Sequence, residues 1–234
     1  MPKKKVGLSA RTLGRPSGQA GKDTRQRLCQ AAASLFSLHG LSNVSMSDIA
    51  GAAGLTGPAI YNYFPSKDSL FNEIVCSLYE EISQAYTQVL KRTTSLPEAL
   101  EGILDVNLEL YREDAVLQRL SSTAALEYSR DRDRFHDIGV AEAQISKVFS
   151  RLVERGVARG ELPASTDIEA TGPLLSCIYV FAPSVRSLSD PSIENFKRTV
   201  ASLRALVRVS WPRTRATSVP HASKTYRRVP KQRP

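Results

Sequence analysis

Between residues 44 and 71 the chain reads VSMSDIAGAAGLTGPAIYNYFPSKDSLF, and helix starts and stops follow one another too closely for any long helix or strand to cross it. Ser45 is a good N-cap, and Asp48, three residues on, can reach back to the free amides as in a capping box. Val44 and Ile49 stand at hydrophobic-staple spacing, and Ile49, Ala50 and Ala53 make a small apolar face. Gly54 ends this helix because glycine enters the left-handed region freely. Thr56 then starts a second helix, with Leu55 and Ile60 repeating the staple and Pro58 in its first turn. Pro65 ends that helix, and Ser66 caps the next.

A helix of under three turns has no stability of its own, so its neighbours must hold it while its other face looks outward. That face carries Thr56, Gly57, Ala59, Tyr61, Asn62 and Tyr63, with hydroxyls and one amide but no acid. Hydroxyls and helix N-termini hold phosphates, and Asn pairs with adenine edges, so these residue types suit a DNA groove. An ordinary αα corner carrying tyrosines has the same geometry, and spacing alone leaves both readings open.

The residues go further than the spacing. The run DIAGAAGLTGPAIYNYFPSKDSLF resembles the DNA-binding signature of the TetR (tetracycline-repressor) family of bacterial regulators. "DIA" matches the first helix of the motif, "AGLTGPAIYNYF" the turn and recognition helix, and "SKDSLF" the opening of the following helix. Upstream, TRQRLCQAAASLFSLHG is similar to that family's first helix, so the likeness spans roughly residues 22 to 90. It implies an all-α fold: a three-helix helix-turn-helix domain followed by a helical ligand-binding and dimerisation domain. It also implies a homodimer acting as a repressor under a small-molecule effector, with Lys67 holding a phosphate at a helix N-terminus, where anions are favoured. Gly57 departs from the family, many of whose members place a larger or charged side chain there, which shifts base reading toward Thr56 and Asn62.

The DNA contacts expected are therefore Thr56, Gly57, Pro58, Ala59, Tyr61 and Asn62 along the groove, Ser45, Tyr63 and Lys67 on phosphates, and Arg25 toward the backbone. Charge agrees with such a partner. The net charge is +9, but residues 1–27 hold eight Lys/Arg and one acid, residues 211–234 hold seven and none, and the body between is acidic. Basic arms mark a polyanion partner, or are solvated tails that aid solubility. Residues 1–21, rich in Lys, Arg, Gly, Ser and Pro, read as a disordered arm able to track phosphates or enter a minor groove. Residues 212–234 read as a second basic tail without a pattern.

The rest of the chain is helical by periodicity. Leu28, Ala31, Ala32, Leu35 and Phe36 line a helix starting near Asp23 or Thr24. The head would span 22–66, with the helix-turn-helix at 45–64, a linking helix at 67–92 and an effector domain at 93–211. Leu104, Leu108, Tyr111 and Tyr128 are candidate pocket residues, although apolar residues at helical spacing are more often plain core. The stretch from Asp167 to about Ser187 is apolar nearly all round, and with 193–211 it suggests a four-helix dimer interface, or an ordinary monomer core.

Other classes fit poorly. No run is long and apolar enough for a membrane span, and the N-terminus has no signal-peptide core. Cys29, Cys76 and Cys177 are scattered in apolar contexts, as expected for buried free thiols in a reducing cytoplasm. The acids around YSRDRDRFH (128–136) match no metal-ligand spacing, so no metal and no cofactor are expected. No GxGxxG, P-loop, GxSxG or HExxH occurs, which argues against an enzyme. A sequence-nonspecific architectural DNA binder using the two arms is the alternative function, and the non-basic recognition helix speaks against it.

Overall fold

Leu28, Ala32 and Phe36 follow one another at four-residue spacing, and all three are fully buried. That stripe organises the first helix, α1, Gln19–His39. The computed structural model describes residues 19–113, 115–183, 189, 190 and 192–210. The helix starts a turn earlier than Asp23, since Gly21 is already buried and helix is how a packed segment satisfies its own amides. The two basic arms lie outside the described residues.

α2 spans Met46–Ala52, with Met46, Ile49 and Ala50 turned inward. The segment after it is not the α-helix that the sequence suggests but a 3-10 helix, Gly57–Asn62. Its bonds run i to i+3, from the Ala59 amide to the Thr56 carbonyl at 3.0 Å and from the Tyr63 amide to the Ile60 carbonyl at 2.9 Å. Six residues between Pro58 and Pro65 are too few for an α-helical ladder, and the tighter helix is the usual form of such short pieces.

α3, Lys67–Arg92, is the axis of the molecule. Ser66 caps it by accepting from the Ser69 amide at 3.1 Å. Its buried positions, from Leu70 and Phe71 through Tyr79 and Tyr86 to Leu90, face α1 at one end and α4, α5 and α6 farther along. Those three helices are Leu96–Glu113, Ala115–Arg130 and His136–Ala158.

α7, Ile168–Ser176, is capped by the Asp167 carboxylate on the Ala170 amide at 3.0 Å. It lies so close to α6 that a Cβ on Gly172 would come 2.7 Å from the Ser150 Cα. The apolar helix expected from 167 to about 187 runs through Pro173, which sits inside α7, but it changes to a π-helical turn over Cys177–Phe181. A π turn breaks the regular ladder, and the Tyr179 carbonyl instead accepts from Asn107 Nδ2 at 2.6 Å. Asn107 is buried and also receives the Tyr86 hydroxyl. Burial pushes the Tyr86 hydroxyl well above the usual tyrosine range. Residues 184–188 lie outside the described set.

The last helix, α8, Ile193–Ser210, runs antiparallel to α4. Phe196 stacks on Tyr111 with ring centroids 4.0 Å apart, Arg204 pairs with Asp105, and Arg208 Nε meets Glu101 at 3.1 Å. Among the described residues there is no strand, and no described helix is long and apolar enough to cross a membrane. The cysteine expectation needs correcting. Cys29 and Cys76 are only partly buried, and Cys177, at the start of the π turn, is exposed. Burial nonetheless raises the Cys29 thiol to about 11.

Candidate DNA-reading surface

The surface is built from the cap upward. The Ser45 Oγ accepts from the Asp48 amide at 3.1 Å, and Asp48 Oδ2 accepts from the Ser45 amide at 2.9 Å. This reciprocal box fixes where α2 begins, and the Ser45 hydrogen bonds hold the Asp48 carboxyl below its ordinary range. Gly54 takes a φ of +73°, which lets the Leu55 amide turn back to the Ala50 carbonyl at 2.8 Å. The 3-10 helix is then held by one fully buried side chain, Ile60, with Phe64 buried just beyond it. Thr56 makes no side-chain cap, contrary to expectation, so its hydroxyl is not committed to the helix start.

With Ile60 inward, Thr56, Pro58, Tyr61 and Asn62 are exposed, while Gly57, Ala59 and Tyr63 are half-buried. Tyr61 is 57% exposed. Gly57 has a local reason: a Cβ there would stand 3.3 Å from the Ser47 hydroxyl of α2, tighter than ordinary contact. The departure at this position therefore goes with close packing of the two short helices.

Two of the expected DNA contacts are committed to the protein itself. The Arg25 guanidinium grips the Glu73 carboxylate through Nε and Nη2, donates Nη1 to the Tyr63 carbonyl at 2.8 Å, and lies 4.2 Å over the Phe64 ring. It clamps α1, α3 and the end of the 3-10 helix together. Lys67 donates to the Leu41 and Val44 carbonyls, both at 2.7 Å. Its ammonium fixes the loop before Ser45, and at most one of its three protons is left for a phosphate.

The expected pocket residues stand in different surroundings. Leu104 is fully buried, Tyr111 is stacked on Phe196, Leu108 is half-buried, and Tyr128 packs its ring on Gly139. Among the described residues no cluster of three or more His, Cys, Asp or Glu side chains could hold a metal.

The family profile described as "Bacterial regulatory proteins, tetR family" matches residues 28–74, which are the last three turns of α1, α2, the 3-10 helix and the start of α3. Residues 28–74 are a DNA-binding domain of the TetR family of bacterial transcription regulators. Relatives extend the likeness beyond the head. The transcriptional repressor KstR2 of Mycolicibacterium smegmatis is 26% identical over 164 residues, 66% of this chain and 74% of that protein. AcrR of Shigella flexneri is 44% identical over 62 residues, 26% of this chain and 29% of that protein. The fold as a whole matches the Bacillus subtilis regulator FadR in complex with stearoyl-CoA, with a TM-score of 0.66 at 16% identity over 78% of this chain and 96% of that one. A TetR regulator of this fold binds DNA and regulates transcription. The family and these relatives are regulators and not enzymes.

The clamps on Arg25 and Lys67 are what sequence reasoning missed. Glu73 follows Arg25 by 48 residues, and no local pattern connects them. The same holds for Arg134, in the turn between α5 and α6, which takes the Asp68 carboxylate through Nε at 2.8 Å and Nη2 at 2.6 Å.

Proposed function

We propose that the protein is a homodimeric, effector-responsive repressor that reads a near-palindromic operator. Each protomer would insert its 3-10 helix into the major groove, with half-sites about 34–36 Å apart. Thr56, Pro58, Tyr61 and Asn62 face the groove on this reading, with Gly57 and Ala59 allowing close approach, and Ser45 and Tyr63 flank phosphates. Arg25 and Lys67 act as positioning residues for that surface. The head comprises residues 22–66, with 67–92 linking it to an effector and dimerisation domain at 93–211, and the basic arm before residue 22 adds affinity through phosphates.

The observation that carries the reading is the exposed row Thr56, Pro58, Tyr61, Asn62, anchored from behind by the fully buried Ile60 and free of acid. The dimer is supported by apolar side chains left open on α7 and α8, including Leu174 at 58%, Leu206 at 63% and Val209 at 81% exposure. Because the FadR relative was solved with stearoyl-CoA, acyl-CoA thioesters are the first effectors to try. The absence of a long apolar helix among the described residues is compatible with action at the bacterial nucleoid, in the cytoplasm.

The test is to recover and sequence genomic fragments bound by the purified protein at physiological salt. One enriched inverted repeat is expected. Diffuse enrichment with a steep salt dependence and no motif would overturn the operator reading in favour of an architectural binder.

A further inference from the structure

A cleft of about 240 Å³ opens between the loop at 40–43, which runs into the Ser45 cap, and the last turns of α5. Its chemistry is lopsided. Glu127 is only 8% exposed, and its Oε1 receives Arg130 Nη1 at 3.2 Å. The Arg130 side chain itself is 60% exposed, so the anion is inside and its counter-ion outside. Ser122, 6% exposed, has a hydroxyl with no hydrogen-bond partner. On the loop side the Leu41 carbonyl is already taken by Lys67, and the Asn43 amide donates to the His39 carbonyl, leaving the Asn43 side-chain oxygen as an acceptor.

Two helices end here. Gly40 directly follows the last residue of α1, and Arg130 is the last residue of α5. Helix C-termini carry partial negative charge, so they reinforce Glu127 and work against an anionic guest. Leu41 and Leu126 add apolar wall. The volume is below the roughly 300–1,000 Å³ of drug-sized sites, which limits the guest to a small molecule.

We propose that this cleft is a binding site for a small primary amine with an apolar body. The ammonium sits on the Glu127 carboxylate, and the body lies on Leu41 and Leu126. Arg130 swings out into water as the ammonium replaces it. One wall belongs to the head and the other to α5, so the amine favours those placements of the two that keep the cleft closed. Any effect on transcription rests on the operator reading above, whereas the binding itself does not.

Calorimetric titration of the full chain at neutral pH with 2-phenylethylamine, 2-phenylethanol and 3-phenylpropionate tests this directly. The amine should bind at least about tenfold more tightly than either analogue. Glu127→Gln should weaken it about tenfold or more. Leu126→Lys, placed at a residue 49% exposed and so tolerated by the fold, should do the same by setting a competing ammonium beside Glu127. Both variants should melt as the parent does. Equal binding of the alcohol, unchanged amine affinity in both variants, or no heat of binding with any of the three compounds would overturn the proposal. Failure to find an operator would leave these titrations as they are.

Discussion

Tyr61 and Arg25 divide the labour of the head at the level of single residues. Tyr61 is exposed and packs on little, so Tyr61→Ala should cut operator affinity at least about tenfold, read by fluorescence anisotropy, with the melting temperature essentially unmoved. An unchanged affinity would remove Tyr61 from the contact set. Arg25→Ala should instead cost about 1–3 kcal/mol in urea denaturation, since it breaks a half-exposed clamp and leaves Glu73 without its partner. A residue that only touched DNA would leave that midpoint alone. Glu142, on α6, shows the opposite sign of effect. Burial raises its carboxyl above the ordinary value, so only between that value and the raised one does the folded state hold a proton that the unfolded chain has released. Stability from this group is present at low pH and declines as pH rises through the ordinary carboxylate range to the raised folded value. Glu142→Gln should therefore raise the melting temperature at pH 7.5 and lose that advantage on acidification toward pH 4, in thermal melts at both values. The residues that sequence reading found were those whose role is local: the Ser45–Asp48 box, the Gly54 stop and the Ser66 cap each need only three or four neighbouring residues. The internal clamps of Arg25, Lys67 and Arg134 were passed over, because their partners stand 48, 26 and 66 residues away, and an exposed-looking cation does not announce which carbonyl or carboxylate it will meet.

Among the helices, periodicity showed where they are but not how closely they approach. The crossing of α6 and α7 depends on Gly172, and Gly172→Ala should destabilise the protein by about 1–3 kcal/mol in chemical denaturation, because the added methyl meets the Ser150 backbone as well as its hydroxyl, and the backbone has no rotamer to yield. A neutral result would mean that α7 shifts freely on α6. The run from 167 onward looked like one regular apolar helix because composition hides the π turn whose Tyr179 carbonyl Asn107 takes. The recognition element posed a similar problem. A 3-10 and an α-helix of six residues share their caps and prolines, and only the hydrogen-bond spacing separates them.

At the scale of the whole molecule, apolar side chains of α7 and α8 stay exposed among the described residues, where α7 lies on α6 and α8 on α4. Replacing both Leu174 and Leu206 with Glu should convert a dimer to a folded monomer in sedimentation velocity and reduce operator affinity sharply, because two half-sites are then no longer read together. A variant that stays dimeric would place the interface elsewhere. Three rings tie the reading head to the body: Phe36 of α1 meets Phe71 of α3 edge-on at 5.4 Å, and Phe71 meets Phe135, at the start of α6, at 5.6 Å. Head and body thus share a core that runs without a break from Leu28 to Val207. Such a chain melts as a single calorimetric unit. A substitution deep in the effector half that never approaches the operator would still lower promoter occupancy by thinning the pool of folded molecules, and in a genetic screen it would pass for a DNA-binding defect.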